Sequence, residues 1–260
     1  MKKIIAFSAA ALIAATSLFA DTVLKVGATP EPHAAILNLV KDDLKAQGID
    51  LQVIEMTDYS ILNETLEAGD IDANYDQHIP YMEATNKNKG FHLVNAGGIH
   101  VEPFALYSHK YKSVKDFKKK STIAIPNDPT NEARALLLLQ EAGLITLRKG
   151  AGIEATPIDV VKNPLKIKFR EIDAASLPRT LDDVDGAVIN GNYALPAGLS
   201  AKKDGLFIEG SSSPYVNVVA VKAGNENKPE IKALVKALQS QKVKDYLNER
   251  YPNGEVVAVF

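Results

Sequence analysis

The chain contains no cysteine, which excludes disulfides, thiolate metal sites and thiol nucleophiles together. Net charge is nearly absent as well: 30 Lys and Arg face 32 Asp and Glu, for −2 overall. No basic field is available to hold a nucleic-acid backbone or an anionic membrane surface, so nucleic acid is not an expected partner. After residue 20 no apolar run approaches the roughly 20 residues of a membrane span. Missing too are the local catalytic signatures: a Walker lysine loop, Gly-x-Gly-x-x-Gly, Gly-x-Ser-x-Gly and His-Glu-x-x-His. A triad assembled from distant Ser, His and Asp side chains stays open, because such groups meet in space and not in sequence. What is present, 46% hydrophobic and 24% charged positions over 260 residues, lies far from the composition of disordered chains. The length suits one large domain or two smaller ones.

Residues 1–20 open with Lys2 and Lys3, continue as the apolar stretch Ile4 to Phe19, and end at Ala20 before Asp21. That is the layout of a cleavable signal peptide, and it predicts a soluble exported protein in the periplasm. A lipid anchor on the usual bacterial plan needs a cysteine at the new N-terminus, and Asp21 stands there.

From Asp21 onward, short apolar runs alternate with helically spaced ones. Val23 to Ala28 is followed by Ile36, Leu39, Val40 and Leu44, then by Gly48 and Leu51 to Met56. The β-α-β rhythm continues with a helix around Ile61 to Leu66, a strand at Ile71 to Asn74, a helix opened by Pro80, and a lysine-rich helix at Ser113 to Lys120. A second set of alternations runs from Thr122 to about Leu206. The pattern predicts an α/β protein of two lobes, each a mostly parallel sheet flanked by helices. Residues 21–107 and 218–260 are expected to form one lobe and 108–217 the other, joined by two extended crossings. Two crossings make a hinge and leave a cleft, the usual seat of a small-molecule site.

Three segments carry candidate chemistry. In Pro126 to Arg134, Asp128 and Pro129 are expected to open a helix whose N–H groups and Arg134 guanidinium face the cleft, a receptor for a carboxylate with Asn131 beside it. The alternative is a well-capped helix with a surface arginine. In Gly69 to Tyr81, acidic, aromatic and imidazole groups gather: Tyr75, Asp76, His78 and Tyr81. A calcium loop is excluded there, since Tyr75 and Tyr81 occupy the positions that require Gly and Glu. Tyr59, Tyr75 and Tyr81 are candidates to wrap an apolar ligand tail, against the plainer reading of core-edge tyrosines. Asn190 and Asn217 each offer an amide to a polar head group or to a loop. A metal reading would use His33, His78 and Asp76 to hold Zn or Ni, but no metal or cofactor is the expected state.

These blocks together resemble the NlpA-type methionine-binding proteins of bacterial ABC importers. The resemblance rests on Gly27-Ala28-Thr29-Pro30, Asp58-Tyr59, Gly69 to Asn74 with Gln77-His78 and Pro80-Tyr81, Pro126 to Asn131 with Arg134, Leu177-Pro178-Arg179, Ala187 to Asn190, and Ser213 to Asn217. It implies the two-lobed periplasmic-binding fold (type II-like), closed around L-methionine or a close relative, and an inner-membrane permease with its ATPase as partner. Arg134 would clamp the ligand carboxylate, Asn190 and Asn217 would bond its polar ends, and His78, Tyr59 and Tyr81 would line the side-chain pocket. Two residues depart from the pattern. Asp21 replaces the usual lipidated cysteine, so diffusible export is expected. Asp76 replaces a common aromatic residue, and meets either the ligand ammonium or solvent. The rival readings are the Zn or Ni receptor and, in another class, a hydrolase with a cleft triad.

Overall fold

A computed structural model describes residues 21–210 and 213–260; the expected signal peptide lies outside them. In chain order the strands are β1 (Thr22–Ala28), β2 (Ile49–Glu55), β3 (Ala73–His78), β4 (Leu93–Val101), β5 (Ala105–Tyr107), β6 (Thr122–Pro126), β7 (Thr146–Leu147), β8 (Val160–Lys162), β9 (Lys168–Ile172), β10 (Gly186–Ile189), β11 (Phe207–Ile208), β12 (Val216–Lys222) and β13 (Val257–Ala258). They form a six-stranded sheet ordered β13-β4-β12-β3-β1-β2, a five-stranded sheet ordered β11-β5-β10-β6-β9, and the small pair β7-β8. Among the described residues no helix is long and apolar enough to cross a membrane.

Each large sheet has its own core. Leu24, Val26, Val219 and Val221 of the first pack against Ile36, Leu44, Ile231, Leu234 and Leu238 from covering helices. Leu106, Ile123, Ile125 and Val188 of the second, with Phe104 just before β5, pack against Leu136 and Leu139. The α/β class is as expected, but the sheets are mixed, not mostly parallel. β1 runs parallel to β2 and β3, while β12 is antiparallel to β3 and β4. In the second sheet β6 is parallel to β9 and β10, while β5 is antiparallel to β10 and β11. The reason is the crossings: a chain that leaves one sheet and later returns enters each with reversed direction, and period-2 patterning carries no information on direction.

The outward crossing runs from β4 through Glu102, Pro103 and Phe104 into β5, so Ala105–Tyr107, expected in the first lobe, pairs in the second sheet. Asn217, expected in the second lobe, pairs with His78 and His100 in the first sheet. Local chemistry explains two further differences. The lysine-rich stretch forms only a 3₁₀ turn at Val114–Asp116; crowded like charges and few apolar side chains give a longer helix nothing to bury. The strand read at Ile71 to Asn74 instead spans β3, because Ala73 pairs with Val26 at one end and His78 with Asn217 at the other.

Helix ends place the site. Asp58 caps the helix Tyr59–Ala68 by accepting the Ser60 N–H at 2.8 Å, and Gly69 stops it at φ 85°, where a side chain would be strained. His78 caps the helix Ile79–Lys89, its Nδ1 accepting the Tyr81 N–H at 3.1 Å. Asp128 caps the helix Pro129–Glu141, with Pro129 in the first turn. That helix buries residues on every face, Arg134 included, as a helix enclosed on all sides must.

Candidate ligand-binding site

A cleft opens between the two sheets, the kind of place where small-molecule sites are found. Tyr59, Asp76, His78, Tyr81 and Asn217 line it from the first lobe, and Asn131, Arg134 and Asn190 from the second. Eight of the nine residues singled out in the sequence thus meet in one place. Tyr75 does not. Adjacent strand residues face opposite ways, so with Asp76 and His78 toward the cleft, Tyr75 is fully buried behind it, its hydroxyl bonded to His100 and its ring edge-on to His33 at 4.8 Å.

Arg134 is 5% exposed. Its Nε and Nη2 donate to the two Glu209 carboxylate oxygens, Nη2 also donates to the Glu102 carbonyl at 3.0 Å, and the guanidinium lies 4.1 Å from the Tyr215 ring centroid. Nη1 has no partner among the described residues. A fork held on one edge and stacked on an aromatic face is fixed in direction, with its remaining N–H groups available for a carboxylate. The helix N-terminus is a different matter. It was expected to offer free N–H groups, but the Asp128 carboxylate accepts the Asn131 N–H at 3.0 Å, the Asn131 Nδ2 on both of its oxygens, and the Thr130 hydroxyl. An anion already faces that helix end, which leaves Arg134 as the cationic group of the cleft.

Asn131 is the hub of the second lobe's wall. Its Oδ1 accepts from His78 Nε2 at 3.1 Å and from Asn190 Nδ2 at 3.0 Å. Both ends of its amide are engaged, so it positions its neighbours and offers a ligand nothing further. His78 is held neutral: burial, helped by the Arg134 charge, lowers its pKa to about 3. Because Nδ1 accepts the Tyr81 N–H, the proton sits on Nε2 and is donated to Asn131. We expect imidazole ¹⁵N shifts to show this tautomer unchanged from pH 5 to 8; titration of His78 near 6.5 would contradict the arrangement.

The lobes are drawn shut by direct bonds. Besides His78 to Asn131, the Tyr59 hydroxyl donates to Asn192 Oδ1 at 2.5 Å and the Tyr193 hydroxyl to the Thr57 carbonyl at 2.6 Å. The rings of Tyr81 and Tyr193 flank Tyr59 at 5.8 and 5.1 Å. In this closed state four buried polar atoms lack partners among the described residues: Asp76 Oδ1 and Oδ2, Asn190 Oδ1 and Asn192 Nδ2. All three residues line the cleft, and stranded polar atoms cost about 1–3 kcal/mol each unless something bonds them.

Glu102, Gly191 and Asn192 line the cleft and went unread in the sequence. Glu102 lies on the outward crossing, and burial pushes its carboxyl up, opposed by His33 and Arg134. It accepts from His100 Nε2 at 2.8 Å. A Cβ at Gly191 would fall 2.6 Å from Glu102 Oε2 and 2.9 Å from its Cβ. We expect Gly191→Ala to cost about 1–3 kcal/mol through this overpacking, measurable by denaturant titration. Unchanged stability would mean that Glu102 can move aside freely.

The metal trio His33, His78 and Asp76 is not assembled. His33 is 1% exposed; its Nδ1 bonds the Thr29 hydroxyl at 2.7 Å and its Nε2 bonds Asn217 Oδ1 at 3.3 Å. Among the described residues, the group close enough to share an ion is His33, His100 and Glu102, of which only Glu102 lines the cleft. Its hydrogen bonds account for it, and burial keeps both imidazoles neutral, His33 lowered to about 4 and His100 to about 3.

The NlpA lipoprotein family model matches residues 24–260, most of the chain. The chain belongs to the NlpA lipoprotein family. Among curated relatives, membrane lipoprotein TpN32 of Treponema pallidum is 48% identical over 254 residues, covering 98% of this chain and 94% of the relative. The D-methionine-binding lipoprotein MetQ of Escherichia coli K12 is 42% identical over 233 residues, 89% of this chain and 85% of the relative. Among solved structures, a nutrient-binding protein from Burkholderia cenocepacia bound to methionine superposes with a TM-score of 0.88 at 44% identity, covering 91% of this chain and 100% of that one. The fold likeness thus covers about nine-tenths of the chain.

Proposed function

We propose that this NlpA protein is the substrate-binding component of an ABC importer that captures L-methionine or a close relative between its lobes and delivers it to an inner-membrane permease with its ATPase. The reading is carried by one observation: residues from both lobes converge on a closed cleft in which a buried, oriented guanidinium stands beside unpaired amide groups. Arg134 Nη1 takes the ligand carboxylate, Asn190 and Asn217 bond the polar head, and Tyr59, Tyr81 and His78 enclose the side chain. Burial of the tail adds roughly 0.8 kcal/mol per CH₂. The names of the relatives support an amino-acid cargo of this class. No covalent step is required of the site.

The test is thermal denaturation with L-methionine, D-methionine, Zn²⁺ or Ni²⁺. A ligand of the native state at 100 times its Kd adds about 2.7 kcal/mol, so methionine is expected to raise the melting temperature by several degrees. A rise with metal alone would favour the metal receptor, and turnover of simple esters would favour the hydrolase.

Export by a cleaved signal peptide, without lipid tethering, completes the proposal. N-terminal sequencing of exported material is expected to begin at Asp21; a sequence beginning at Met1 would contradict it.

A further inference from the structure

The cleft holds two unlike charged groups. The Arg134 guanidinium and the His78 ring both pack on Tyr215, at 4.1 and 4.9 Å, and the arginine charge is already balanced by Glu209. The other group is Asp76. It shares a strand face with His78 two residues along, about 6.6 Å at the usual rise. Its carboxylate is 3% exposed and lines the cleft, and neither oxygen has a partner among the described residues. Burial alone pushes this carboxyl well above the usual range, and its charge is among the secondary influences that raise the hydroxyls of Tyr81 and Tyr193 after burial itself. Tyr59 and Tyr81, whose rings meet at 5.8 Å, line the same cleft from the same lobe as Asp76, where a ligand tail would lie.

An isolated carboxylate in such a place is stable only if the cargo supplies what the protein withholds. We propose that Asp76 is a specificity-determining residue that turns the tail end of the cleft into a subsite for a protonated amine, so that the cargo carries a carboxylate at the Arg134 end and a cationic tail at the Asp76 end. The inference rests on the amino-acid-binding reading above and narrows its substrate class: an amino acid about as long as methionine, with an ammonium where methionine carries its terminal methyl. The tyrosine faces around Asp76 suit such a group, since a cation is attracted to the negative face of an aromatic ring.

L-Ornithine and L-methionine form the matched probe pair, because each has four non-hydrogen side-chain atoms and they differ chiefly in the terminal group. Isothermal titration of both into the wild type, Asp76→Asn and Asp76→Leu reads the effect as a ratio of affinities, which cancels any general loss of folding. We expect the wild type to bind L-ornithine more tightly than L-methionine, and both substitutions to shift that ratio toward methionine by tenfold or more. An unchanged ratio, or a wild type that binds methionine and not ornithine, overturns the amine subsite and leaves amino-acid capture standing. Binding of ornithine without methionine supports the subsite and removes methionine as cargo. Binding of neither overturns the amino-acid reading and the subsite with it.

Discussion

Arg134→Ala is expected to weaken amino-acid binding by more than tenfold and to lower the melting temperature as well. Truncation removes the Nη1 donor from the cleft and simultaneously strands Glu209, whose two oxygens are bonded by Nε and Nη2. Breaking a buried ion pair from one side typically costs 3–5 kcal/mol, and tenfold in affinity corresponds to about 1.4 kcal/mol, so stability and binding losses must be separated. The double variant Arg134→Ala/Glu209→Ala does this. Removing the stranded carboxylate is expected to recover much of the stability but none of the affinity, as read by thermal denaturation and calorimetry. Recovery of affinity would mean that the arginine serves only to neutralise Glu209.

The second large effect is expected at Asn131. Asn131→Ala deprives His78 Nε2 and Asn190 Nδ2 of their shared acceptor and takes from the Asp128 carboxylate its side-chain amide donor. At about 1–3 kcal/mol for each buried group left unsatisfied, the helix Pro129–Glu141 should lose several kcal/mol of stability at its N-terminus. The ligand wall should loosen with it. Asn131→Asp is the informative companion, because it keeps an acceptor for His78 and Asn190 but sets a second carboxylate against Asp128. It is expected to be no better than alanine at neutral pH and to improve on acidification, when one of the two carboxyls takes up a proton. Equal stability of both variants at every pH would remove Asp128 from this account.

These expectations show what the sequence made legible. The α/β rhythm and the capping residue Asp128 were readable because each depends on local spacing or on a local motif, and the joint site of Tyr59, His78, Arg134, Asn190 and Asn217 was what the family resemblance implied. Strand direction was not: β5 and β12 reverse the expected parallel order because of where the chain crosses between sheets, a long-range fact. Tyr75 was misplaced by one step of strand alternation, since β3 was read too short for its faces to be assigned. The pairing of Arg134 with Glu209, 75 residues away, left no mark near either residue. Glu102 and Asn192 stood in plain segments, and only the closed fold puts them against each other. Asp76 was noticed as a departure from its family, and its isolation became visible only once every neighbour had been placed.

The most direct measurement is a crystal structure of the protein with its amino-acid cargo bound. The account predicts the ligand between the two sheets, touched by both lobes, with a carboxylate oxygen within hydrogen-bond distance of Arg134 Nη1 and the tail running toward the tyrosines. A ligand seated elsewhere, or held in the cleft with its carboxylate turned away from that guanidinium, would contradict it.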